Sequence, residues 1–507
     1  MYLNIQNNKF GMLRLRFHFF ILLVVLVLPG CTVGPDFEPP EAPGVGSYTE
    51  TELSAQTVET AGEGGEAQHF IEGKDIPGCW WQLFHSKPLN ELIEKGLKNN
   101  PTLQAAEAAL RQSDANLQVA LSAIYPFINV QASPERQRFS PAIFDVQTPA
   151  SIFNLYNTAV NVSYTLDIFG AIRRQIETAE AQFEYQRFQM EATYLTLTSN
   201  IVTSAITEAS LRGQIRATYE LIASQEKILD ITKKKFMLGG ISQLDVLAQE
   251  TSVAQTRATL TPLENSLAKI RHGLAVLVGG FPSNTYIPNF SLETLHLPTE
   301  LPVSLPSCLV EQRPDIKAAE AFLHAATAQV GVATANLLPQ ITLTASYGWT
   351  SDHLDTLLLH RSSVWTLIGN ILQPVFQGGA LLAQRKGAIA ALDQAVAQYK
   401  QTVLTAFQNV ADTLTALELD AHQLQIQTDA EKAAIQTLKL TEAQYRMGAV
   451  GYLNLLDAER QYHLARIGRI QAEALRYADT AALFQALGGG WWNRQVIECK
   501  TVTEKGE

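Results

Sequence analysis

Two hydrophobic periods follow one another along this chain, and the succession occurs twice. Ile341, Leu343, Ala345, Tyr347 and Trp349 alternate with Thr342, Thr344, Ser346 and Gly348, which predicts a strand with two unlike faces. Val160, Val162, Tyr164 and Leu166 alternate in the same way with Asn161, Ser163 and Thr165, and residues 127–133 and 364–372 read as the pairing partners. The connections, around residues 136–157 and 351–363, are polar and turn-rich. After each strand pair the period lengthens. Ile389, Leu392, Val396, Tyr399, Val403, Phe407, Val410, Leu414 and Leu417 step by threes and fours, averaging about 3.5 residues, a coiled-coil seam. The first copy, Ile172, Ile176, Ala179, Phe183, Met190, Tyr194, Leu197 and Ile201, is looser and breaks near Arg187. No proline occurs from Gly170 to Thr261 or after Pro374, so each predicted helix continues to Gly239 or Gly448. A rod of roughly 65 residues at about 1.5 Å each extends about 100 Å.

The punctuation repeats as well. Residues 101–133 align without a gap onto 314–346, with 13 of 33 positions identical, Pro126 falling on Pro339. Asn100 and Pro101 suit a helix cap and first turn. At the far end, Phe236-Met237-Leu238-Gly239 followed by Leu244 matches Tyr445-Arg446-Met447-Gly448 followed by Leu453. Glycine there can take the left-handed cap conformation. A return helix starts within a few residues, giving a tight helical hairpin in each copy. The predicted layout is a signal segment (1–30), an extended N-terminal tether without a core (31–85), a first repeat (86–278), a proline-rich linker strapped around the outside (279–306), a second repeat (307–488) and a C-terminal tail (489–507).

Four strands of about ten residues are long enough to cross a bilayer when tilted. They are too few to close a barrel, and an open edge in lipid leaves backbone groups unpaired. Several chains must then pool their strands; the alternative is a small soluble sheet with one buried face. Trp349, Trp365 and Tyr347 fit an interfacial aromatic belt or core packing, and Trp491-Trp492 fit an anchor for the C-terminal segment.

Charged residues make up 17% of the chain and the net charge is −11, which argues against binding nucleic acid by phosphate neutralisation. No run of eighteen apolar residues lies outside the N-terminus, so no membrane-spanning helix is expected in the mature chain. Lys9, Arg14 and Arg16 precede a short apolar stretch that ends at Leu28-Pro29-Gly30-Cys31, the pattern of an export signal. The cysteine after a small residue resembles the lipobox of bacterial lipoproteins. That implies acylation of Cys31, the only covalent group expected, and Thr32 rather than Asp after it implies sorting to the outer membrane; an ordinary signal peptide is the alternative. Cys79, Cys308 and Cys499 permit at most one internal disulfide, and no His/Cys spacing points to a metal site. No hydrolase elbow, phosphate loop or zinc-protease motif occurs, so no catalytic residue is assigned.

Taken with the tip motifs and the start Cys31-Thr32-Val33-Gly34-Pro35-Asp36-Phe37, the chain resembles the TolC/OprM outer-membrane efflux channels, in their lipoprotein branch. The resemblance implies an α+β membrane protein in which duplicated long helical hairpins form an α-barrel. Four strands per chain would contribute to a twelve-stranded trimeric barrel. It implies a homotrimeric passive duct, closed at its periplasmic tip until an adaptor and an inner-membrane pump, RND in type, engage it. Gly239, Leu244, Gly448 and Leu453 fall at the docking tips, and Asp245, Asn454 and Asp457 at the entrance, where Asn454 lacks the family's carboxylate. Asp245 is equally explained by the dipole of the return helix. Lys233-Lys234-Lys235 fit dipole complementation or an adaptor contact. A protein-secretion channel and a structural periplasmic coiled-coil lipoprotein are the rival functions.

Overall fold

The structure is a computed structural model, and it describes residues 32–50, 54–140 and 149–494. Cys31 and Cys499 lie outside the described residues. The elements are β1 (His69–Glu72), α1 (Lys87–Asn99), α2 (Pro101–Ser122), β2 (Phe127–Phe139), β3 (Ser151–Leu166), α3 (Ala171–Met237), α4 (Gln243–Leu277), β4 (Glu300–Val303), α5 (Pro306–Gln312), α6 (Pro314–Ala335), β5 (Gln340–Ser351), β6 (Ser363–Leu372), α7 (Ala380–Arg446) and α8 (Tyr452–Ala486). The duplication is kept in length. α2 and α6 have 22 residues each, α3 and α7 have 67, and α4 and α8 have 35.

The chain divides into two compact units. One consists of residues 1–39, 111–185 and 320–398, the other of 40–110, 186–319 and 399–507, and the long helices contribute turns to each. The first unit holds an antiparallel sheet in the order β2-β3-β5-β6. β2 and β3 pair from Phe127 opposite Ser163 to Phe139 opposite Ser151, so the polar stretches expected to be loop, 136–139 and 151–157, are strand. Backbone pairing carries the hairpin on past the point where the apolar alternation ends. Between β5 and β6 the expected connection is present, built from two short 3-10 turns.

The second unit holds an aromatic core. Trp80, Trp81, Phe84, Tyr477, Phe484, Ile201 and Leu274 are buried there, and the Trp80 and Phe484 rings stack at 5.4 Å between centroids. The N-terminal segment read as a coreless tether joins this core. β1 pairs in parallel with β4, which comes from the inter-repeat linker. Arg476, fully buried on α8, donates to the carbonyls of Gly64 (2.6 Å) and Glu66 (2.9 Å) and to Gln68 Oε1 (3.1 Å). Such partners lie hundreds of residues away, which is why local composition does not register them. Trp491 Nε1 donates to the Gln312 carbonyl (2.7 Å) and Trp492 Nε1 to Asp75 (2.9 Å), fixing the last of the described residues. Cys79 is disulfide-bonded and Cys308 is a free, exposed thiol, so those two are not paired with each other.

The seam of α7 is buried at Tyr399, Val403, Val410, Leu414, Leu417 and Leu424, with Ala395, Ala406 and Ala421 at the intervening steps. Alanine thus replaces the expected Phe407 at a point of close approach, and Ile389 stays exposed. Asn100 caps α2, its Oδ1 accepting from the backbone N–H of Thr102 (2.8 Å) and Leu103 (3.1 Å).

Candidate functional site

The sheet register decides what the strands can do. Residues directly opposite share a face in an antiparallel pair. Val130 pairs with Val160, Val160 with Tyr347 and Tyr347 with Trp365. One step along, Ile128 pairs with Val162, Val162 with Ala345 and Ala345 with Leu367. The same face therefore runs apolar across all four strands. The other face carries Asn129, Asn161, Ser346 and Thr366 in one row, with Asn161 Nδ2 donating to Asn129 Oδ1 at 3.1 Å. The apolar face is uncovered in the single chain: Val130 is 74% exposed, Leu367 71% and Trp365 74%. Such a surface is unstable in water and stable against lipid, while the polar face suits an aqueous interior. Tyr347 and Trp349 sit near one end, their rings edge to face at 5.4 Å. The outer ladders of β2 and β6 have no partner strand among the described residues. No described helix is long and apolar enough to cross a membrane.

The hairpin tips are built by local backbone chemistry. Gly239 (φ 75°) and Gly448 (φ 78°) are left-handed, and in both the space around the α-carbon is open, so conformation and not crowding requires glycine. Gly240 N–H reaches the Lys235 carbonyl and Ala449 N–H the Gln444 carbonyl, each at 2.9 Å, closing the last turn in the same way twice. Leu244 and Leu453 are exposed by 74% and 68%, beside equally exposed Met237, Leu238 and Met447.

The entrance residues do not behave alike. Asp245 is spent on a capping box: its Oδ2 accepts from Ser242 N–H (3.1 Å) and Ser242 Oγ (2.8 Å). Asn454 and Asp457 lie on one exposed stripe of α8, and Asp457 pairs with Arg460 at 2.8 Å. Arg460 was not singled out from sequence, although the i, i+3 spacing is its signal. The three lysines are engaged within the chain: Lys233 pairs with Glu250 (2.8 Å), Lys234 with Asp230 (2.5 Å), and Lys235 lies 4.7 Å from the Tyr445 ring centre. Beside Asp457 a cavity of about 580 Å³ is lined by Leu221, Gln225, Ser252, Leu453 and His463.

The opposite face of α8 holds a residue that sequence reasoning missed. Glu459 takes a seam position after Tyr452 and Leu455 and is 1% exposed. Burial, reinforced by the Glu442 carboxylate and opposed by the Gln225 amide, pushes its pKa up to about 7.

At the start of the described chain, Val33 N–H donates to the Phe169 carbonyl (3.2 Å). The Arg174 guanidinium holds Val33 O (3.3 Å), Asp36 (2.5 Å) and Glu177 (2.7 Å). Phe37 stacks on His324 at 4.2 Å between ring centres, and His324 Nε2 is 2.9 Å from Glu177. The residues that follow Cys31 are thereby strapped beside the end of β3.

A two-faced open sheet, in a chain that also forms paired long helices, defines a segment of a membrane-spanning duct wall. The sequence profile of outer membrane efflux proteins matches residues 92–280 and 305–489. The toluene efflux pump outer membrane protein TtgC of Pseudomonas putida is 30% identical over 479 residues, covering 94% of this chain and 96% of that one. The solved outer-membrane channel OprN superposes with a TM-score of 0.83 at 27% identity, covering 91% of this chain and all of that one. The open state of the Neisseria gonorrhoeae MtrE outer membrane channel gives 0.78 at 25% identity, with 91% and 99% covered. The chain belongs to the outer membrane efflux protein family. It is an outer-membrane efflux duct, and its family is one of channels and not of enzymes.

Proposed function

We propose that three copies of this chain close one passive duct, docked at its tips by a periplasmic adaptor and fed by a proton-driven, RND-type pump in the inner membrane. The carrying observation is the face with two adjacent rows apolar across β2, β3, β5 and β6, while both outer ladders lack a partner strand among the described residues. Closure by identical neighbours covers the ladders and leaves the apolar face to lipid. Solutes cross by diffusion through the wet interior, so selectivity for them rests with the pump. At the hairpin tips, the exposed leucines and methionines around Gly239 and Gly448 form the docking surface, and Asp457, Asn454 and Asp245 set the charge of the entrance.

Acylation of Cys31 fits the strap of residues 32–37, which delivers the acyl chains at the level where the strands begin. The test is the purified full chain in mild detergent. The expected result is a heat-sensitive trimer that forms conducting pores in planar bilayers. A stable monomer without pores would overturn the reading.

A further inference from the structure

Glu459 stands where four helices meet. From α3 it faces Gln225, from α7 Glu442, and on its own helix Tyr452. Gln249 of α4 joins the same cluster, its Nε2 donating to the Gln225 carbonyl at 2.7 Å. Gln225 is 3% exposed and Gln249 fully buried. Neither oxygen of Glu459 has a hydrogen-bond partner, and the Tyr452 hydroxyl and the side-chain oxygens of Gln225 and Gln249 lack one too. The neighbours offer unpaired oxygens, with the Tyr452 hydroxyl and the Gln225 amide as donors, and no cation faces the carboxyl among the described residues. Lys233 is paired with Glu250, Lys235 rests on Tyr445, and Arg460 is paired with Asp457. His463, one turn further along α8, is held toward its neutral form by burial and by Arg466. Asp245, at the start of α4, acts on Tyr452 and adds negative charge. An ionised carboxylate at this point is a buried charge with no cation beside it, only partly offset by the Gln225 amide; a protonated one is a neutral seam residue that can donate to one of the orphaned oxygens.

We propose that Glu459 is a proton-operated latch on the seam between the two hairpins, holding the tip packed when protonated and loosening it when ionised. The idea rests on the reading of the tip as the end that opens. A carboxyl raised to about 7 in the packed state and ordinary when solvated gives a definite sign. Packing is fully favoured below the ordinary carboxylate range. As the pH climbs toward 7 the packed state loses ground by up to about tenfold per unit, and above 7 the loss levels off. Gln225 also lines the cavity beside Asp457, so a movement at the seam reaches the entrance directly.

The experiment is hydrogen exchange of the first turns of α8 in the purified full chain, corrected for intrinsic chemistry, at pH 5 and pH 7.5. Protection is expected to fall by about tenfold or more in the natural protein and to change less than twofold in Glu459→Gln. Equal pH dependence in both proteins overturns the latch. Should Glu459→Gln fail to fold, Glu442→Gln serves: it removes the neighbouring like charge, and the transition should move to lower pH. An unmoved transition overturns the latch. Single-channel recording across the same pH range separates the two ideas. A seam that loosens without a change in pore opening leaves the latch standing and refutes the tip as the gate.

Discussion

Both copies run 67 residues outward and 35 back, and both end the outward helix with a left-handed glycine and the same pair of closing hydrogen bonds, yet the return helices start differently. In the first copy Ser242 and Asp245 cap one another reciprocally. In the second, Gly451 stands at the cap position with no side-chain bond, and Asp457 turns to Arg460 instead. The rods are held to a common length, whereas the turn chemistry has diverged. The second copy has no side-chain cap for its first backbone N–H groups, and it is the copy that carries Asn454, Asp457 and Glu459. The difference predicts that the start of α8 yields more readily than the start of α4.

Three matched pairs of substitutions test how far this holds. The largest effect belongs to the strands, where the copies should agree. Val130→Arg and the repeat-equivalent Leu343→Arg each place a charge on the apolar face and should destabilise the membrane-inserted protein by about 2–4 kcal/mol. Gln131→Arg, on the polar face, should cost little. Denaturant unfolding from bilayers gives the values, and a large asymmetry between the first two would break the equivalence of the copies. Next come Gly239→Val and Gly448→Val, each forcing a β-branched residue into a left-handed turn at about 1–2 kcal/mol. Thermal melting should register both alike, while efflux should fail more completely for the second.

The smallest pair is the most discriminating. Ser242→Ala should cost about 1 kcal/mol of local stability at the start of α4 by removing a cap. Gly451→Ser should gain only about 0.3 kcal/mol at the start of α8. Slower exchange of that turn, with reduced pore opening, would show that the missing cap is what lets the second tip yield. Unchanged opening would count against it.

The rods, the four main strands, the tip glycines and the Asn100 cap were all legible from period and punctuation, because each depends on neighbours within a few residues. Sequence reading failed where the deciding partner is remote. β1 and β4 are too short and irregular to announce a pairing across more than 200 positions, and the capture of Gly64, Glu66 and Gln68 by Arg476 leaves no local trace. At the tip, Asp245 was read as entrance charge or as a partner of the helix dipole, and its hydrogen bonds from Ser242 add a cap that the sequence reading did not single out. Glu459 escaped notice because a glutamate on a helix ordinarily faces water; only the stripe Tyr452, Leu455, Glu459 places it inward.

Matched rods also constrain how this chain can evolve. A heptad deleted from α3 alone would throw its tip out of step with α4, and with α7 and α8 in the other copy, so a viable change in span needs four coordinated deletions. Point changes meet no such barrier. Surface chemistry can therefore change one residue at a time, whereas reach changes only in steps that all four helices take together.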